Sequence, residues 1–153
     1  MTPSLTMQNI ESAFGGESQA HVKYRFFAKV CRKLGDEETA KVFEATADQE
    51  ILHAYGHFEL LHRELTVEDC LKLAIEGETH EFTEMYPSFR KQAETDGNAA
   101  AAAEAAEQIA ESKVHAAQFT ATLEKARKRF AALQKVEERH ANHYRDQLAR
   151  VVA

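Results

Sequence analysis

Gly77-Glu78-Thr79-His80-Glu81-Phe82-Thr83-Glu84-Met85-Tyr86-Pro87 sets charge against burial on a single helix. Leu71, Ala74, Ile75, Phe82, Met85 and Phe89 recur at steps that place them on one helical face. Glu78 and Glu81 follow Ile75 by three and six residues and share that face. An apolar stripe packs inward against other helices, so it carries both carboxylates with it. Burying an unpaired carboxylate is costly enough that the group normally takes up a proton instead.

The same conflict recurs outward along the chain. A first helix is predicted over residues 7–34, with the stripe Ile10, Ala13, Phe14, Ala20, Tyr24, Phe27, Cys31 and Leu34. Glu17, three residues past Phe14, points inward with it. A second helix over 37–65 carries Ala40, Phe43, Ala47, Ile51, Ala54, Phe58 and Leu61, and Glu50 lies seven residues past Phe43. The third, over 68–94, holds the opening stretch. A fourth over 99–126 is rich in alanine, the best helix former. A fifth, extra helix over 130–151 carries Phe130, Leu133, Val136, Tyr144 and Leu148. Gly35-Asp36, Leu65 to Glu68 with Thr66 as N-cap, and Thr95-Asp96-Gly97-Asn98 mark the breaks, with a weaker one near Lys125–Arg129.

No Lys or Arg lies on these stripes, so a metal pair is the economical counter-charge. Glu50-x-x-His53 puts an oxygen and a nitrogen ligand on one helical face, and Glu111 and His115, four apart, do the same. Five glutamates (Glu17, Glu50, Glu78, Glu81, Glu111) and two histidines (His53, His115) suit iron or manganese better than zinc. The spacing also repeats. Gly16-Glu17 precedes Glu50 by 33 residues, and Gly77-Glu78 precedes Glu111 by 33. Glu17 lies 18 before Gly35 and His53 18 after it; Glu78 lies 19 before Gly97 and His115 18 after it. Two helical hairpins, 7–65 and 68–126, each bring half a metal site to one level, and 127–153 forms the additional C-terminal helix. The competing interpretation is a solvated acidic face on a structural helical protein.

Composition agrees with an all-α chain. In 153 residues there are two prolines and six glycines, and none of either after Gly97. A net charge of −6 disfavours a nucleic-acid partner. No apolar run is long enough for a membrane span, and the polar start does not read as a signal peptide. Cys31 and Cys70 form no CxxC, which fits a reducing cytoplasm.

Residues 13–20 (AFGGESQA), 46–50 (TADQE) with His53, 77–87 (GETHEFTEMYP) and 113–116 (KVHA) resemble the rubrerythrin-type members of the ferritin-like di-iron carboxylate proteins. The resemblance implies a four-helix bundle with two iron ions, iron–iron or manganese–iron. It implies Glu17, Glu50, His53, Glu78, Glu81, a fourth-helix glutamate and His115 as ligands. It also implies supporting roles for Tyr24 and Tyr86. Glu50, Glu81, Tyr24 and Tyr86 are the candidate catalytic residues, and Glu84 joins the two tyrosines in orienting ligand carboxylates. The chain departs from the pattern in three places. The family's glutamate stands three residues before the histidine, where this chain has Ser112; Glu111 is one residue early, re-aimed by a local π-bulge or lost as a ligand. No two CxxC pairs are present, so no rubredoxin domain is expected and the electron donor is a separate protein. Glu137-x-x-His140 in the C-terminal helix is the alternative source of the last ligands.

The second and third helices run parallel in this superfamily. Returning along a helix of roughly 40 Å, at about 1.5 Å per residue, takes at least about 12 extended residues at roughly 3.3 Å each. Only Thr66 and Val67 lie between Leu65 and Glu68. The expected resolution is a domain-swapped homodimer, each site combining Glu17, Glu50 and His53 of one chain with Glu78, Glu81, Glu111 and His115 of another. The expected function is peroxidase-type: reduction of hydrogen peroxide, or consumption of O2, in oxidative-stress protection. The alternatives are iron storage with ferroxidase activity, or a structural helical dimer.

Overall fold

The structure, a computed structural model, describes residues 4–152. All regular elements among them are helical: α1 Leu5–Lys33, α2 Glu37–Leu61, α3 Val67–His80, a π-helical turn Glu81–Met85, α4 Tyr86–Thr95 and α5 Ala99–Val151. The chain divides into two compact units, residues 1–64 and 65–153.

In the first unit α1 and α2 form an antiparallel hairpin. The turn is local chemistry. Gly35 adopts φ +86°, and the Asp36 N–H bonds back to the Cys31 carbonyl at 2.9 Å, closing α1. Asp36 then caps α2 by accepting from the Thr39 N–H at 2.9 Å. Ala40, Ala47 and Ala54, seven residues apart on α2, are fully buried, and so is Ala28 on α1. Small side chains at these buried positions leave room for the two helices to pack. His21 donates from Nδ1 to the Ala47 carbonyl at 2.7 Å, so the ring carries its proton on that nitrogen. Tyr24, Phe27 and Phe43 form one ring cluster, and Phe14 and Phe58 a second with centroids 5.0 Å apart.

The second unit repeats the plan. Gly97 adopts φ +69°, the Asn98 N–H bonds to the Ala93 carbonyl at 2.9 Å, and Asn98 Oδ1 caps α5 through the Ala101 N–H. Thr66 and Asp69 make a reciprocal capping box at the start of α3, so Thr66 is the N-cap expected. Ala105, Ser112, Ala116, Leu123 and Ala126 are the buried positions of α5.

Two expectations need correction here. The break near Lys125–Arg129 and the separate C-terminal helix do not occur, because α5 is a single helix of 53 residues. Lys, Ala and Arg are all good helix formers, and Arg127 is anchored to Glu68 of α3 at 2.7 Å. The π turn lies in the third predicted helix, not the fourth. The Tyr86 N–H bonds to the Glu81 carbonyl five residues back. Pro87 explains its place: it has no N–H to give the Thr83 carbonyl, so the α ladder opens just upstream. The extra residue resets the helical register, and Phe89, expected inside, is 55% exposed.

Neither unit fully buries any large side chain among the described residues. Phe26, Leu52 and Tyr55 of the first hairpin stay exposed, as do Phe89 and Val114 of the second.

Candidate metal centre

In the first unit α1 presents Glu17, and α2 presents Glu50 and His53 one turn apart. One ligand atom from each of the three lies within 4.8 Å of the others. His53 Nδ1 is 3.0 Å from Glu50 Oε2, and the Glu50 side chain is only 18% exposed. Two carboxylates converging on one imidazole, with no Lys or Arg among the three, leave negative charge without a matching cation. This oxygen-rich, nitrogen-capped donor set is the kind that iron or manganese accepts.

The second unit brings together Glu78 and Glu81 of the third predicted helix with Ser112 and His115 of α5. His115 Nδ1 stands 3.4 Å from Glu78 Oε2, close enough for charge attraction but without hydrogen-bond geometry. Glu78 Oε2 is therefore a buried carboxylate oxygen with no hydrogen-bond partner. Such an orphan is costly, and a cation at that point would satisfy it. Glu81 differs: its Oε2 accepts from the Ser112 hydroxyl at 2.8 Å.

The structure does not bring Glu111 into this cluster. Ser112, three residues before His115, takes the inward place, and Glu111, turned by about 100° on the helix, is exposed. Glu137 and His140 pair with each other at 3.8 Å on an exposed stretch of α5. They lie 22 and 25 residues past His115 on the same helix, a distance of about 33–37 Å at 1.5 Å per residue. They therefore cannot join the His115 cluster within this unit. Tyr24 is half-buried in the Phe27–Phe43 ring cluster, and Tyr86 is half-buried against the edge of Phe89. Glu84 is exposed and pairs with His80 at 3.4 Å.

Sequence reasoning missed two contributors. Ser112 was noticed only as a departure, although it is in phase with buried Ala105 and Ala116, seven and four residues away. The π turn beneath Glu81 was signalled by Pro87.

A family model described as rubrerythrin matches residues 8–148. The chain belongs to the rubrerythrin family. It is 39% identical over 107 residues to a rubrerythrin of Porphyromonas gingivalis, covering 61% of this chain and 54% of that protein. It is 36% identical over 110 residues to nigerythrin of Nitratidesulfovibrio vulgaris, covering 63% and 54%. The chain thus spans about half the length of the curated relatives it matches. Among solved structures, nigerythrin in its fully reduced, all-ferrous state is similar at 30% identity, with 82% of this chain and 69% of that one covered and a TM-score of 0.39. The rubrerythrin family's cofactor is a pair of iron ions, and the donors fit it: carboxylate oxygens, two imidazoles and one orphaned buried oxygen. No helix among the described residues is long and apolar enough to cross a membrane.

Proposed function

We propose that the chain is a di-iron oxidoreductase that reduces hydrogen peroxide. Convergence of Glu17, Glu50 and His53 within 4.8 Å is the observation that carries this reading. When bound, a ferrous pair would supply the two electrons and the Lewis acidity that, with two protons, reduction of peroxide to two waters requires. A rubredoxin-like protein returns the electrons.

The side chains hold and orient. Glu50, with a side chain only 18% exposed and a donor atom within 4.8 Å of those of Glu17 and His53, would hold the metal together with them. Glu17, Glu78 and Glu81 bind as further carboxylates, and His53 and His115 bind through ring nitrogens. Tyr24 and Tyr86 would help to orient the ligand carboxylates. Each complete site draws Glu17, Glu50 and His53 from one protomer and Glu78, Glu81 and His115 from a second, in a swapped homodimer. Two observations support the swap. Only residues 62–66 link α2 to α3, a reach of about 20 Å at most, and each hairpin leaves large apolar side chains uncovered.

The test is stoichiometric. Anaerobic protein loaded with ferrous iron is expected to hold two irons per chain, to sediment as a dimer, and to oxidise rapidly on mixing with peroxide, with near-ultraviolet ferric absorption. A ferrous spectrum unchanged by peroxide overturns the peroxidase reading. Iron far above two per chain favours storage. A monomer that still binds two irons overturns the swap.

A further inference from the structure

We infer that Ser112 is a positioning residue: its hydroxyl holds Glu81 in place, and its neutrality gives this chain a centre of four carboxylates. The inference rests on the di-iron reading above. Ser112 is 2% exposed and is the one buried polar residue among those described. It stands three residues before His115, so both project from the same face of α5. Its hydroxyl donates to Glu81 Oε2 at 2.8 Å, while Oε2 of neighbouring Glu78 is buried with no hydrogen-bond partner. Two carboxylates one turn apart are therefore treated differently: one is tethered, the other is left bare. The tether falls on the glutamate whose backbone opens the π turn, where the Glu81 carbonyl accepts from the Tyr86 N–H rather than from a residue four along. A side chain launched from a widened turn lacks the regular ladder's fixed direction, and a buried hydroxyl restores it. One Glu81 oxygen is occupied by the serine and the other is left for a cation.

The consequence is electrostatic. Glu17, Glu50, Glu78 and Glu81 together carry four negative charges, which two ferrous ions neutralise. A ferric pair would exceed those four charges by two in a half-buried site. A carboxylate at position 112 would lower that excess and favour the oxidised pair. Serine therefore biases the centre toward its reduced form.

Three variants test this: Ser112→Ala, nearly isosteric; Ser112→Thr, which keeps the hydroxyl; and Ser112→Glu, which adds the charge. In the metal-free protein the carboxyl carbon-13 resonance of Glu81 is expected to move in Ser112→Ala and to return toward its wild-type position in Ser112→Thr. A resonance that stays put in Ser112→Ala overturns the tether, whatever the metal does. In the iron-loaded protein, Ser112→Ala is expected to weaken retention of ferrous iron against a chelator by about 10-fold, as loss of a ligand's supporting hydrogen bond does. Ser112→Glu is expected to shift the midpoint potential negative. Wild-type protein with two irons and a potential unmoved by Ser112→Glu overturns the charge argument alone. Wild-type protein that takes up no iron overturns the di-iron reading, and the charge argument with it, while the carbon-13 result still decides the tether.

Discussion

In the α1–α2 hairpin, Glu17, Glu50 and His53 each bring a ligand atom within 4.8 Å of the others. In the α3–α5 hairpin, Glu78 stands beside His115 and Glu81 accepts from the Ser112 hydroxyl, as two separate pairs. The two hairpins share a turn design, glycine at positive φ followed by an Asx cap, and a seam of small residues. They differ where the metal is to sit. The first aims its donors from regular helix. The second aims one glutamate from a π turn and then ties it down. A repeated scaffold thus tolerates a change in the number of charges as long as the inward positions remain in phase.

The sharpest way to break that comparison is to remove one carboxylate at a time. Glu50→Ala is expected to lower bound iron from two per chain to less than one, measured by elemental analysis after dialysis. Glu111→Gln, although it removes an acid next to Ser112, is expected to leave two irons in place, because Glu111 is exposed. Equal losses in the two variants would show that Glu111 turns inward in the assembled protein and that the hairpins are more alike than they stand here.

The seams offer the next contrast. Ala40, Ala47 and Ala54 are at 0% exposure, whereas Ala105, Ala116 and Ala126 of α5 retain 5–8%. Overpacking a filled core costs about 1–3 kcal/mol. Ala47→Leu should lie at the upper end of that range and Ala116→Leu below it, by chemical denaturation of the metal-free protein. The reverse order would mean that the second seam is the tighter one.

Legibility followed the range of the interactions. Helix ends at Gly35, Thr66 and Gly97 rest on contacts within five residues, and the sequence pattern placed them correctly. Glu17, Glu50 and His53 were readable because i, i+3 spacing and a symmetrical turn put them level. The break expected near Lys125–Arg129 has no Gly or Pro to stop the helix, and the Arg127–Glu68 pair lies within it. The choice between Glu111 and Ser112 turned on about 100° of helical phase. Chemistry favoured the glutamate, but the phase set by Ala105 and Ala116 favoured the serine. The π turn was hidden for a different reason. It depends on a hydrogen bond that Pro87 cannot make, and stripe counting does not register a missing donor.

A smaller effect is expected at the start of the second hairpin. Thr66→Ala removes one half of the capping box and should cost about 1 kcal/mol. At the two hairpin turns, Asp36→Ala and Asn98→Ala each remove an Asx cap and should cost about as much as each other. A large difference between the two would mean that the turns, unlike the metal donors, are not equivalent.

The smallest effect is electrostatic and depends on pH. Glu68 is held down to about 2 from an ordinary 4.5, first by its hydrogen bond from Arg127 and then by that from Lys72. Its folded-state value is depressed, so its contribution to stability is fully present above about pH 4.5 and is lost as pH falls through about 2. In the first hairpin Glu44 is held below its ordinary value by Arg32, with the same sign. All of these groups are exposed to solvent, so both contributions are small. Glu68→Gln is expected to melt slightly below wild type at neutral pH and level with it near pH 2. Added salt should narrow the neutral-pH gap by screening. Glu44→Gln should trace the same course. If Glu68→Gln instead falls furthest behind at low pH, the Arg127 contact does not hold the long helix against α3. The unbroken run of α5 past Lys125 would then rest on helix propensity alone.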